Sequence, residues 1–260
     1  MSNVLLKMEH VTKNFGGLRA VDDFSMEVPD GSIYGIIGPN GAGKTTIFNL
    51  ISGIYKPDSG TVWLDGEDIT HLSQERIAAC GVSRTFQNIR LFKGLSVLDN
   101  VKVAQDYGTS YGVLQALISG PKVKAIEKKL ETEAFEHLKL MHLESYAEEK
   151  PENLSYGIQR RLEIARALSM KPKIMLLDEP AAGLNPEEVI QLIKFIREIK
   201  RNMGVSILII EHRMDVIMGL CERIYVQDFG VNIAVGTPKE IQADEKVLAA
   251  YLGGESVCSQ

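Results

Sequence analysis

The sequence predicts an α/β fold: a parallel sheet with crossover helices, preceded by an antiparallel β portion and interrupted by a helical insertion. Three patterns carry that reading. From Lys173 onward, strand-like and helix-like runs alternate, at Ile174 to Leu177, Glu187 to Lys200, Val205 to Ile210, Met214 to Leu220 and Arg223 to Gln227; strands separated by helices lie parallel in one sheet. Near the N-terminus, short β-branched segments follow one another with only turn signals between them, which builds antiparallel pairs. Between about Leu98 and Glu149 the period changes. There Ile126, Leu130, Ala134, Leu138 and Met141 recur at three- or four-residue spacing beside Lys and Glu, the pattern of an amphipathic helix.

In chain order, the first strands are expected at Val4 to Val11, Phe24 to Val28 and Thr61 to Leu64, punctuated by Pro29-Asp30-Gly31, Asp58-Ser59-Gly60 and Asp65-Gly66. Ser32 to Ile37 is a short apolar run of the kind that forms a strand buried on both faces, and it ends at a glycine-rich loop. The charged run from Lys122 to Lys139 reads as the solvated face of a helix. Set against about 150 residues per domain, 260 residues allow one large domain or two small ones. The organisation predicted is a single domain over residues 1–254, with about residues 98–160 inserted as a helical subdomain and 255–260 as a tail.

Composition narrows the function classes. With 45% hydrophobic and 24% charged residues, wholesale disorder, collagen-like repeats and disulfide scaffolds are disfavoured. A balance of 29 basic and 34 acidic residues, net −5, argues against a nucleic-acid partner, which calls for basic excess. Cys80, Cys221 and Cys258 lie far apart with no CxxC or Cys/His spacing, so they read as buried or idle thiols. The opening residues lack the apolar core of a signal peptide, and no stretch reaches the roughly 18 apolar residues that cross a bilayer. The chain is therefore expected in the cytosol unless a partner recruits it.

Gly38-Pro39-Asn40-Gly41-Ala42-Gly43-Lys44-Thr45 fits GxxxxGK[ST] between a predicted strand and a predicted helix, the context this phosphate-binding motif requires. Its glycines let successive backbone N–H groups turn inward around phosphate oxygens, and the helix adds its positive dipole end. Lys44 brings a full charge to the β- and γ-phosphates, Thr45 is placed to ligate Mg²⁺, and Thr46 continues the same turn. The partner carboxylates come in Ile174-Met-Leu-Leu-Asp-Glu-Pro180, where Asp178 emerges at the C-terminal end of a buried strand, the edge at which open α/β sheets place ligand chemistry. Mg²⁺ takes oxygen ligands and keeps several waters, so Asp178 is its expected carboxylate. Glu179 follows and points elsewhere, which makes it the candidate general base for a water attacking in line with the γ-phosphorus.

A further segment, Leu154-Ser-Tyr-Gly-Ile-Gln-Arg-Arg-Leu-Glu-Ile-Ala-Arg-Ala-Leu168, resembles the signature of ATP-binding cassette (ABC) ATPases, whose usual form is Leu-Ser-Gly-Gly-Gln. Ser155 stands where it can cap the following helix while leaving N–H groups free for an anion. The family's other motifs follow in order. Gln87, in Ser83-Arg-Thr-Phe-Gln-Asn-Ile-Arg90, resembles the glutamine that senses Mg²⁺ and the attacking water and links the site to a membrane partner. His212, just after the strand Val205 to Ile210, resembles the switch histidine on the γ-phosphate; Phe15 matches the adenine-stacking aromatic; Ala181 to Pro186 resembles the loop that crosses the dimer interface. The resemblance covers Val4 to about Gly254 and implies a P-loop NTPase core, a RecA-like parallel sheet, with an antiparallel β subdomain and an inserted α-helical subdomain.

By that resemblance ATP and Mg²⁺ are the cofactors. The contacts it implies are Phe15, residues 38–46, Gln87, Ser155 and Gly157 for nucleotide, Thr45, Gln87 and Asp178 for metal, and Lys44, Glu179 and His212 for catalysis. It also implies a second ATPase subunit, identical or paralogous, facing this one head to tail, and two transmembrane permease subunits at the inner face of the membrane. A solute-binding protein would be met only indirectly. The segments at 83–92, 154–168, 181–186, 236–241 and 249–253 are most like the ATP-binding subunits of branched-chain amino acid importers. Lipopolysaccharide export, a soluble cassette working on ribosomes or DNA, and a nucleotide-gated module without turnover remain the alternatives. Tyr156 stands for the first signature glycine, Ile158 for its glutamine and Asn185 for an aspartate. With Ser155 and Gly157 supplying the essential contacts, hydrolysis by this chain is expected to stay above about a tenth of that of Ile158→Gln in a steady-state phosphate-release assay.

Overall fold

The computed structural model describes residues 3–105 and 121–253. Two sheets organise the chain. The first is antiparallel, in the order β2-β1-β4-β5, from β1 (Val4–Phe15), β2 (Leu18–Pro29), β4 (Ser59–Leu64) and β5 (Glu67–Asp68). The second has six strands in the order β10-β9-β3-β8-β7-β6. Five of these, β3 (Ile33–Ile37), β6 (Val82–Arg84), β7 (Ile174–Asp178), β8 (Ser206–Ile210) and β9 (Arg223–Asp228), run parallel, and β10 (Val231–Gly236) closes one edge antiparallel to β9.

Alternation along the parallel strands divides the interior in two. Ile33, Met175, Leu177, Ile207, Ile209, Ile224 and Val226 face one core, where they meet α3 (Val97–Gln105), α5 (Tyr156–Ser169), α6 (Pro186–Met203) and α7 (Met214–Leu220). Tyr34, Ile36, Ile174, Leu176, Leu208, Ile210 and Tyr225 face the other core, filled by α1 (Lys44–Ile51) and the inner face of the antiparallel sheet. Every residue of β3, β7 and β8 is buried. Polar groups on these strands therefore collect where the strands end.

The first two strands are longer than their hydrophobic pattern indicates. His10 and Asp23 adopt positive φ (50° and 49°) at bulges that break the alternation, after which pairing resumes as far as Phe15 opposite Leu18 across Gly16-Gly17. Several further elements go beyond the expected ones. β5 and β6, of two and three residues, are too short for alternation to declare them, and α2 (Gln74–Cys80), β10 and the C-terminal helices α8 (Pro238–Ala243) and α9 (Glu245–Gly253) were not expected either.

The helical insertion consists of α3, α4 (Pro121–Leu140) and α5. Ala134, Leu138 and Met141 are fully buried as expected, but Ile126 is 37% exposed, on an open cavity that it lines with Ala104, Gln105 and Lys129. The expected solvated face is present, since Glu127, Lys128, Lys129, Glu131, Glu136 and Lys139 are exposed. Part of the expected helical stretch, residues 106–120, lies outside the described residues, as do Cys258 and the tail 255–260. Cys80 and Cys221 are free thiols; burial pushes the Cys221 thiol up to about 12, which keeps it protonated and inert.

Asn185 begins α6 with a capping box: its Oδ1 accepts from the Glu188 amide at 2.9 Å and Glu188 Oε2 accepts from the Asn185 amide at 3.0 Å. Asparagine thus serves as well as the aspartate it stands for. Asn185→Ala is expected to cost about 1 kcal/mol in denaturant unfolding, with Asn185→Asp within about 0.5 kcal/mol of the unaltered chain.

Candidate functional site

The phosphate-binding sequence leaves β3 at Gly38 and enters α1 at Lys44. Two glycines make that path possible. A Cβ on Gly38 (φ 149°) would lie 2.0 Å from the Gln227 carbonyl oxygen, and one on Gly43 (φ 98°) would lie 2.2 Å from that of Ala20; no side chain fits either contact. The Gly230 amide donates to the Ala42 carbonyl at 3.1 Å, so the β9–β10 turn pins the loop from below. Gly43 caps α1 without a side-chain hydrogen bond, which leaves the first N–H groups of α1 uncovered by any cap. Lys44 is 5% exposed and its Nζ donates to the carbonyls of Gly38 (2.7 Å) and Pro39 (2.8 Å). Burial pulls this ammonium below its ordinary value, against the charges of Glu179 and Asp178. Asn40, Gly41 and Thr45 are exposed, and Thr46 is half-buried.

Asp178 ends β7, 4% exposed. Its Oδ2 accepts from Arg84 Nη2 at 2.9 Å, and the same guanidinium reaches Asn49 Oδ1 (2.7 Å) and Ser52 Oγ (3.1 Å) around α1. Arg84 was not among the residues picked out by the sequence. No sequence signal marks it, because β6, the three-residue strand that sets Arg84 beside the aspartate strand, is too short to be declared by pattern.

Glu179 adopts φ 47°, left-handed backbone that costs a non-glycine residue about 1–3 kcal/mol. Its amide donates to the Ile210 carbonyl at 2.8 Å, which fixes it beside the end of β8. Both carboxylate oxygens are engaged: Gln87 Nε2 donates to Oε2 at 2.9 Å, and His212 Nε2 lies 3.0 Å from Oε1. Three residues from three distant segments thus meet on one carboxyl group. Beneath them Glu211, 2% exposed, accepts from the amides of Ala181 (2.7 Å), His212 (3.0 Å) and Arg213 (3.2 Å). Burial raises its carboxyl above the ordinary value. It was also missed by the sequence reading, because a carboxylate beside a histidine in sequence carries no mark of burial.

Phe15 lies at the end of β1, 39% exposed, edge-on to Tyr55 at 5.0 Å with Lys13 Nζ 5.6 Å from its ring centre. It is a rim aromatic and not a core residue. Ser155 and Gly157 lie at the start of α5. They line a cavity of about 410 Å³ with Asn185, Glu187, Glu188 and Gln191. Ser155 occupies the N-cap with extended backbone, yet its hydroxyl makes no capping hydrogen bond, contrary to the expected cap. Gly157 lies against Glu188, whose Oε1 would be 2.3 Å from an added Cβ.

Residues 21–182 match the ABC transporter family, and residues 231–257 match the branched-chain amino acid ATP-binding cassette transporter family. The chain belongs to the ABC transporter family. This cassette is 43% identical over 253 residues to the high-affinity branched-chain amino acid transport ATP-binding protein LivG of Salmonella typhimurium, covering 97% of this chain and 99% of that one. It is 36% identical to the lipopolysaccharide export ATP-binding protein LptB of Acidithiobacillus ferridurans, covering 96% and 98%. Among solved structures, an ATP-binding cassette of an ABC transporter in its ADP conformation superposes with a TM-score of 0.84 at 33% identity, covering 97% of this chain and all of that one. A dimeric bacterial ABC transporter cassette superposes with a TM-score of 0.77 at 26% identity, covering 90% and 99%. The fold is that of an ABC ATPase.

The Arg84–Asp178 pair is 7% and 6% exposed. Arg84→Met strands the buried carboxylate, so it is expected to lower unfolding free energy by about 3–5 kcal/mol, read from denaturant melts.

Proposed function

We propose that this cassette binds and hydrolyses ATP to power a membrane importer of branched-chain, hydrophobic amino acids. One observation carries the catalytic half: the Glu179 carboxylate, held between Gln87 and His212 at the strand edge beside the buried Lys44. The likeness to LivG supports the transported class, and the lower identity to LptB makes lipopolysaccharide export the second choice.

In this reading residues 38–46 cradle the phosphates, and Lys44 exchanges its two loop carbonyls for β- and γ-phosphate oxygens. Glu179 is the general base that takes the proton of the attacking water, with Gln87 holding its carboxylate in line. His212, freed by the γ-phosphate, turns to it, and Phe15 stacks on adenine from the rim. Among the described residues no cluster of three or more His, Cys, Asp or Glu side chains could hold a metal. Mg²⁺ takes oxygen donors and keeps several waters, and the Thr45 hydroxyl, the Asp178 carboxylate and the Gln87 amide are the groups that would hold it; bound there, it would neutralise charge on the phosphates.

None of residues 38–46 lines the cavity that Ser155 and Gly157 line; in this reading those two residues serve the nucleotide of a second cassette, and two chains complete two sites. Lys44 and two sets of helix N-termini, with the metal that these residues would hold, would then balance the nucleotide's charge only when the pair is closed. No helix among the described residues is long and apolar enough to cross a membrane. In this reading the cassette works with two permease subunits at the inner membrane face, with a solute-binding protein further along and no nucleic acid.

Glu179→Gln is expected to keep ATP affinity, to hydrolyse at least about a hundredfold more slowly, and to elute as a dimer with ATP in gel filtration. Rapid turnover by that variant would remove Glu179 from the role of base. Purification from native membranes should bring down two hydrophobic permeases that restore leucine, isoleucine or valine uptake in vesicles; uptake of none of them overturns the substrate class.

A further inference from the structure

Arg160 lies on α5, a turn past the signature residues, and its side chain is wholly buried. A buried guanidinium carries five N–H donors that need acceptors; four of this one's are met, two of them by main-chain carbonyls of another segment, and Nε has no partner. Nη1 donates to the Phe86 carbonyl at 2.8 Å and to Glu163 Oε2 at 2.7 Å, while Nη2 donates to the Gln87 carbonyl at 2.8 Å and to the Tyr156 hydroxyl at 3.0 Å. Glu163, 1% exposed, holds the same loop by its amides, since its Oε1 accepts from Phe86 at 3.4 Å and from Arg90 at 3.5 Å. Two carbonyls and two amides of residues 86–90 are thereby bonded to a single pair of charges on one helix.

The residues just before them belong to the sheet. The Thr85 amide donates to the Leu176 carbonyl at 3.0 Å, and Arg84 is tied to Asp178, Asn49 and Ser52. The division between sheet and helix thus falls at one peptide, between Thr85 and Phe86. Gln87 has its main chain on the helix side and sends its side chain back across to Glu179.

We propose that Arg160, paired with Glu163, is a positioning residue for hydrolysis: it sets where Gln87 stands against Glu179 by tying the Gln87 main chain to the signature helix. This deepens the function proposed above and rests on its reading of Glu179. Two apolar side chains would fill the same volume, and buried pairs replaced in that way are often no less stable, but they could not bond the loop. Tyr156 joins the same junction, with its hydroxyl on Arg160 and its ring 3.0 Å from where a Cβ on Gly183 would lie, in the loop that follows Glu179. A shift of the α5 N-terminus, where Ser155 and Gly157 sit, is therefore passed to Gln87 in the same chain.

Truncating Arg160 alone strands Glu163 in the core, so the test replaces both, Arg160→Met with Glu163→Met, in the full-length chain. The expected outcome is a folded cassette with KM for ATP within about twofold, kcat lowered about tenfold or more, and amides of Phe86 and Arg90 that exchange hydrogen about tenfold faster or more while those of β7 do not change. In a Gln87→Ala background the double replacement should cost less than about a further twofold, as expected for residues acting through one another. Unchanged exchange at residues 86–90, unchanged kcat, or a loss that adds in full to that of Gln87→Ala overturns the proposal. Arg160→Lys, which keeps the charge beside Glu163 but loses the fork, carries the same comparison if the paired variant does not fold. Gln87→Ala with unaltered turnover overturns the reading of Gln87 at the site and the catalytic part of this proposal, while amide exchange still decides the clamp alone.

Discussion

Parallel strands buried on both faces leave polar side chains one place to gather, and the rest of this structure depends on that edge. β3, β7 and β8 are closed to solvent along their whole length, and parallel pairing directs their C-terminal ends the same way. Gly38 follows β3, Asp178 and Glu179 end and follow β7, and the loop carrying Glu211 and His212 follows β8. β6 brings Arg84 to the same edge. Residues far apart in sequence thus become neighbours because three strands stop together.

Charge drawn into that edge has to be answered locally, and main-chain groups supply much of the answer. Lys44 is held by two carbonyls, Glu211 by three amides and Glu163 by two. Each such arrangement satisfies a buried charge and also immobilises a loop, since the loop cannot move without exposing the charge. The left-handed backbone of Glu179 survives in this setting because its amide, its carboxylate and the turn after it are all bonded to neighbours. Rigid loops around one strained carboxylate suit a reaction whose catalysis is mostly positioning and electrostatics.

The glycines show the same economy of contact. Gly38 and Gly43 pass within reach of backbone oxygens that a Cβ would strike, and Gly157 passes as close to the Glu188 carboxylate. Glu188 in turn caps Asn185, so the signature residues, the loop after Glu179 and the start of α6 press on one another. None of residues 38–46 lines the cavity beside them, and the proposed cycle brings a second chain's phosphate loop to it.

Much of this was legible in the sequence. The glycine-rich loop, the Asp178-Glu179 pair after four apolar residues, and the alternation from Lys173 onward are local patterns, written in adjacent residues whose spacing is set by backbone geometry, and they determined the α/β class and the loop and carboxylates of the candidate site, while Gln87, His212 and Phe15 came only through resemblance to a family. The antiparallel extension past His10 and Asp23, the strands β6 and β10, and the pairings of Arg84 with Asp178, Arg160 with the Gln87 loop and Glu211 with Ala181 were decided only by tertiary structure. The same holds for the departures from expectation, the exposed Ile126 and the uncapped hydroxyl of Ser155. The physical reason is common to them: a charge reads as a solvated surface residue until the strand or helix that buries and pairs it is known, and that neighbour lies elsewhere in the chain.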